Sequence, residues 1–169
     1  MLAIFIILAG IAARLIPHTA NFSPVAAIAL FSGAYLSRRY SWIVPLAIYA
    51  LSDVFLGFHK VSLFCWASII IIAILGQRLQ KKRNIVNVTA YSLLAAVLFF
   101  LITNFGVWAV GFYPRTLAGL GQSYLMGIPF FRISLAANLI FSLVIFGIYE
   151  FLDKRVKETQ LRTVLFIKS

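Results

Sequence analysis

The stretch Val88–Phe112, VTAYSLLAAVLFFLITNFGVWAVGF, contains 25 residues and no charged side chain. As an α-helix it would rise about 37 Å, more than the roughly 30 Å hydrocarbon core of a bilayer. Lys81-Lys82-Arg83 stands before it and Arg115 after it, so the charge-free run reads as a membrane-crossing helix with basic ends. Its surroundings have the same character. Of the 169 residues, 63% are hydrophobic and 11% charged, against about 45–50% and about 25% in an ordinary soluble domain. A mean hydropathy of +1.00 excludes a water-soluble domain. Further apolar segments run over residues 2–16, 25–37, 42–58, 63–79 and 130–152, predicting an all-α protein of six transmembrane helices. Residues 1–152 then form a six-helix transmembrane domain and 153–169 a basic tail. The first run lacks a basic leader and a small-residue cleavage pattern, so it is expected to remain as a helix. The second is the shortest, and tilting, re-entry or packing among neighbours would each accommodate it.

The formal charge of +11 would suggest nucleic acid in a soluble chain, but here the basic residues sit at the ends of apolar runs, and no nucleic-acid partner is expected. With six spans, one side carries Arg38, Arg39, Arg78, Lys81, Lys82, Arg83, Lys154, Arg155, Lys157, Arg162 and Lys168. The other side carries Arg14, Lys60, Arg115 and Arg132. Eleven against four places both termini in the cytoplasm of a bacterial inner membrane by the positive-inside rule. If residues 25–37 merely dipped into the bilayer, Arg38 and Arg39 would join Lys60 and spoil the pattern. The expected partner of the outer surface is therefore the lipid bilayer.

Once the chain is oriented, the unusual polar residues collect on the external side. They lie in RLIPHTANFSP (14–24), SDVFLGFHK (52–60), TNFGVWAVGFYPR (103–115) and GIPFFR (127–132), whereas the cytoplasmic links are plain basic connectors. Such convergence at one mouth points to binding. Asp53 lies inside an apolar segment, about five residues or roughly 7 Å of rise from its outer end. A carboxylate at that depth needs a partner, and Arg14, His18, His59 and Arg132 are the candidates. A helix-locking ion pair without any ligand explains Asp53 equally well. Asn104, Trp108 and Gly111 share one helical face and offer an amide, a flat ring and a gap, although Trp108 and Tyr113 also suit a role as interfacial anchors. Ser134, Asn138 and Ser142 form a second stripe that reads as interhelical hydrogen bonding. His18 and His59 each flank an external helix end, and with Asn21 and Tyr113 they join Arg14, Asp53, Asn104, Trp108 and Arg132 as the residues expected to bind a solute. Two histidines in separate loops make no metal motif, and neither a metal nor a cofactor is expected; Cys65 or His59 would be the ligand to test if one were bound. Enzyme signatures such as HExxH, GxSxG or a P-loop are missing. Ala9 with Ala13, and Ala29 with Gly33, have the four-residue spacing of close helix approach.

The motifs R14-x-x-P-H-x-x-N-F-x-P24, ALFSGAY (29–35), LSDVFLGFH (51–59), TNFGVWA (103–109), Tyr113-Pro114 and IPFFR (128–132) resemble an uncharacterised family of small bacterial integral membrane proteins. The six-helix layout in turn resembles the S components, the substrate-binding subunits of energy-coupling-factor vitamin transporters. That resemblance implies an outward-facing pocket for a vitamin or precursor, lined or braced by RLIPH, SD and TNFGVW, and a membrane partner subunit contacted through Ala9 and Ala13. On this reading Arg14 and Arg132 attract an anionic group, Asp53 and Asn104 orient it, and Trp108 stacks on a ring. A small membrane enzyme using His18, Asp53 and His59, and a scaffold without any solute, are the competing expectations.

Overall fold

The computed structural model describes residues 10–12, 14–15 and 21–158, and every regular element among them is helical. Ala9, Ala13, His18, most of the first expected span and the tail beyond residue 158 lie outside the described residues. The helices are α1 (Val25–Tyr35), α2 (Tyr40–Leu56), α3 (Ser62–Gly76, continued by a 3-10 turn Gln77–Lys81), α4 (Ile85–Ala109) and α5 (Leu117–Glu158). Residues 10–12 and 14–15 are helical as well. Three stretches are long and apolar enough to cross a membrane: Ser62–Lys81, Ile85–Ala109 and Leu117–Arg155. Val25–Tyr35 and Tyr40–Leu56 are shorter apolar helices.

Burial explains the short α1. Nine of its eleven residues are buried, and it packs against α2, α3, α4 and α5. Its length of about 16 Å is about half a bilayer core, and at its end the Gly33 and Leu36 carbonyls accept from Gln80 Nε2. The contact with α3 is backbone to backbone: a Cβ on Gly33 would lie 2.1 Å from the Ala73 carbonyl oxygen, and one on Gly76 would lie 2.3 Å from that of Leu30. The small-residue spacing at Ala29 and Gly33 is thus used inside the chain.

The last helix differs from expectation. It begins at Leu117 and not at residue 130, because Thr116 caps it: the Gly119 N–H donates to Thr116 Oγ1 at 3.1 Å, and the Leu120 N–H to the Thr116 carbonyl at 3.0 Å. Pro129 is inside the helix. Packing against α4 outweighs the weak helix propensity of Gly119, Gly121 and Gly127. Gly127–Arg132 is therefore a helical wall and not an external loop. Helix α4 likewise starts three residues before residue 88, where the Asn84 side chain accepts the Asn87 N–H at 2.9 Å. Helix α2 stops at Gly57, whose φ of +89° suits glycine and whose N–H closes on the Asp53 carbonyl at 2.9 Å.

The two ends of the bundle differ. At one end Gln80 Nε2 donates to the Gly33 carbonyl (2.9 Å), Arg83 lies over the Tyr35 ring (4.3 Å), and the Tyr35 hydroxyl donates to the Glu150 carboxylate. These contacts gather the α1–α2 link, the α3–α4 link and the end of α5, and with them the basic connectors. Glu150 thus joins Asp53 as an acid inside one of the expected apolar spans, at the opposite end of the bundle. Phe31, Tyr35, Phe146 and Tyr149 stack beneath it. Large apolar side chains point outward along the bundle, among them Phe55, Leu94, Leu101, Ile140 and Ile148.

Candidate functional site

At the end away from the basic links, the helices leave a cavity of about 490 Å³, within the roughly 300–1,000 Å³ usual for small-molecule sites. Two long helices supply most of its wall. From α4 come Ala96, Phe99, Phe100, Thr103, Asn104 and Val107; from α5 come Gly127, Phe130, Phe131, Ser134 and Asn138. Both sets recur at three- and four-residue intervals, so each is one face of its helix. The faces run antiparallel and meet at two levels. Near the mouth, Gly127 lies against Asn104, where a Cβ would come within 2.4 Å of Asn104 Oδ1. Deeper in, Asn138 Nδ2 donates to the Ser92 carbonyl at 2.6 Å. Phe100 and Phe131 pack with ring centroids 4.7 Å apart.

The opposite wall is built on an ion pair. Arg14 Nη2 lies 3.0 Å from Asp53 Oδ1, with side chains 13% and 2% exposed. Arg14 Nη1 donates to Ser52 Oγ (2.5 Å) and to the Tyr49 carbonyl (3.2 Å), and the guanidinium lies 3.8 Å from the centre of the Tyr49 ring. The second carboxylate oxygen of Asp53 accepts Trp66 Nε1–H at 2.8 Å. Ser52 and Asp53 fall on the last turn of α2 and Trp66 on the first turns of α3, so the α2–α3 hairpin brings them together. Of the partners expected for Asp53, the structure brings up Arg14. Arg14, Tyr49 and Cys65 line the cavity, while Asp53 stands behind Arg14.

The remaining expected residues separate. Asn21, His59 and Asn104 line the cavity. The His59 ring Nδ1 is hydrogen-bonded to Ser62 Oγ, and Asn104 Nδ2 donates to the Phe100 carbonyl at 2.9 Å. Trp108 does not line the cavity: its Nε1–H is divided between the carbonyls of Pro114 (3.0 Å) and Thr116 (3.2 Å), closing the α4–α5 link. Tyr113 lies in that link, and Arg132 is exposed on α5, both away from the cavity. His18 is outside the described residues. Among the described residues, no three or more His, Cys, Asp or Glu side chains converge as metal ligands.

Thr103, in the expected TNFGVW lining, does line the cavity, whereas the sequence does not single out the Phe99, Phe100, Phe130 and Phe131 panel or Trp66 as the second partner of Asp53. The periodicity of the panel was visible, but a helix that is apolar all round does not mark which face meets a cavity and which meets lipid. The expectation of interhelical bonding for Asn138 matches its bond to Ser92, yet among the described residues its Oδ1 has no partner.

Comparison with curated proteins and with solved structures finds no match to either. A sequence family does match: the chain belongs to DUF6580, a family of unknown function, whose model matches residues 1–161.

Proposed function

We propose that the protein is a solute-binding subunit of the bacterial inner membrane, similar to the S components of vitamin uptake systems. Its cavity opens to the outside and takes a small molecule, a vitamin or a precursor. The observation that carries this reading is the cavity of about 490 Å³ at the non-basic end, with an aromatic panel on one wall and the held guanidinium of Arg14 on the other. Such a mixture of apolar surface and few polar groups is what small-molecule sites use. The apolar outer surface supports a lipid environment, and the basic connectors gathered at the far end support cytoplasmic termini and six crossings. The short α1 and α2 cross within a jacket of longer helices. The sequence carries no P-loop, so uptake is driven by a partner subunit, docked through the Ala9 and Ala13 face.

The test is a thermal-shift screen of the detergent-purified protein against vitamins, their precursors and metal ions. A ligand present at 100 times its Kd adds about 2.7 kcal/mol to the folded state, and stabilisation by an organic solute that is lost on narrowing the cavity with Ser134→Phe is the expected result. Stabilisation by metal alone favours an enzyme. Silence across the screen, with Asp53 variants merely unstable, makes the protein a scaffold and sinks the proposal.

A further inference from the structure

From the charge and hydrogen-bond state of the cavity wall we infer that its ligand is uncharged and planar and carries an N–H or O–H donor directed at Asn138. This rests on the cavity being a solute site and specifies the chemistry it selects. Arg14 is the one Lys, Arg, Asp or Glu among the described lining residues, and its charge is already balanced. Nη2 is paired with Asp53 at 3.0 Å, and Nη1 is bonded to Ser52 and the Tyr49 carbonyl. An anion competing for the guanidinium would displace a carboxylate that is 2% exposed and leave it with Trp66 alone, which is strongly unfavourable for a buried charge. The ion pair therefore acts as a neutral wall, and the cavity discriminates against carboxylates.

The floor supplies the positive selection. Asn138 is 2% exposed and lines the cavity. Its nitrogen faces a carbonyl, that of Ser92 at 2.6 Å, so the orientation of the amide is dictated: the reversed rotamer would set oxygen against oxygen. The atom left over is Oδ1, a pure acceptor, buried and, among the described residues, without a partner. Buried polar atoms are normally satisfied, and a donor on the ligand satisfies this one. The cavity is also lined by Phe99, Phe100, Phe130 and Phe131, whose rings favour a flat aromatic guest.

Two matched series test this on the purified protein: nicotinamide and 2-naphthamide, each beside its carboxylate and its N,N-dimethyl amide. The dimethyl amide removes the donor at unchanged charge but is bulkier and twisted out of the ring plane, so its comparison is read together with Asn138→Leu, which removes the acceptor and leaves the fit of the two amides to the rest of the cavity in place. The expected result is a rise in melting temperature with a primary amide and at least about tenfold weaker affinity for its carboxylate and dimethyl twins. Asn138→Leu should abolish the preference for the primary over the dimethyl amide. Carboxylates binding as well as or better than amides would overturn the inference while leaving a solute site in place. Equal binding of primary and dimethyl amides would overturn the role of Asn138. No stabilisation by any of the six compounds would overturn the inference, and the solute-site reading would then fall or stand on the vitamin screen.

Discussion

Asp53→Asn removes one charge from the ion pair behind the cavity while nearly preserving shape. The guanidinium and carboxylate are 3.0 Å apart, with 13% and 2% of their side chains exposed. At an effective dielectric near 20, unit charges about 4 Å apart attract by about 4 kcal/mol, and breaking a buried pair typically costs about 3–5 kcal/mol. Arg14 would keep Ser52 Oγ, the Tyr49 carbonyl and the face of the Tyr49 ring, and an amide oxygen can still accept from Trp66. These contacts place the expected loss near the lower end, about 3 kcal/mol. The double variant Arg14→Gln with Asp53→Asn leaves no orphaned charge, so its loss should fall below the sum of the singles by about 1–3 kcal/mol. Unfolding in mixed micelles followed by tryptophan fluorescence suits the assay, since Trp66 donates directly to Asp53. Additive losses, or an Asp53→Asn variant within about 0.5 kcal/mol of the parent, would refute the reasoning that this pair is coupled and buried.

Trp66→Phe keeps an aromatic ring but deletes the 2.8 Å bond to Asp53; a loss of about 1–3 kcal/mol is expected in the same assay, and an unchanged midpoint would argue against it. Gly33→Ala drives a Cβ to 2.1 Å from the Ala73 carbonyl oxygen, so α1 and α3 must separate. The cost should be about 1–3 kcal/mol, read as a lower melting temperature and a smaller monodisperse fraction. Gly127→Ala meets Asn104 Oδ1 at 2.4 Å; that side chain can swing, so the fold should survive while solute affinity falls, and unchanged affinity would place the guest elsewhere. In a Cys65→Ala background, Lys60→Cys and Arg115→Cys should react with a membrane-impermeant maleimide in intact cells, and Arg83→Cys should react only after permeabilisation. The reverse pattern would invert the orientation.

What could be read from the chain alone was whatever depends on a running property of consecutive residues. The length of Val88–Phe112, the charge-free runs and the lopsided distribution of Arg and Lys all belong to this class, because helix rise and charge position are additive along the chain. The need of Asp53 for a cation was equally legible, since the desolvation of a carboxylate does not depend on which partner answers it. Caps were legible in principle as well: Asn84 and Thr116 are good N-cap residues, and reading Thr116 as one would have put the last helix near its true start.

Tertiary structure decided the rest. That Arg14 answers Asp53, with Trp66 taking the other oxygen, depends on how the α2–α3 hairpin lies against Arg14, and no spacing rule joins positions 14, 53 and 66. That Trp108 closes the α4–α5 link while Phe99, Phe100, Phe130 and Phe131 face the cavity depends on how α4 and α5 are rotated about their axes. In a chain that is apolar on every face, hydrophobicity gives that rotation no preferred direction, and close fits such as Gly33 on Ala73 and Gly127 on Asn104 set it instead. The same rotation buries Asn138 with its nitrogen satisfied and its oxygen, among the described residues, unpaired.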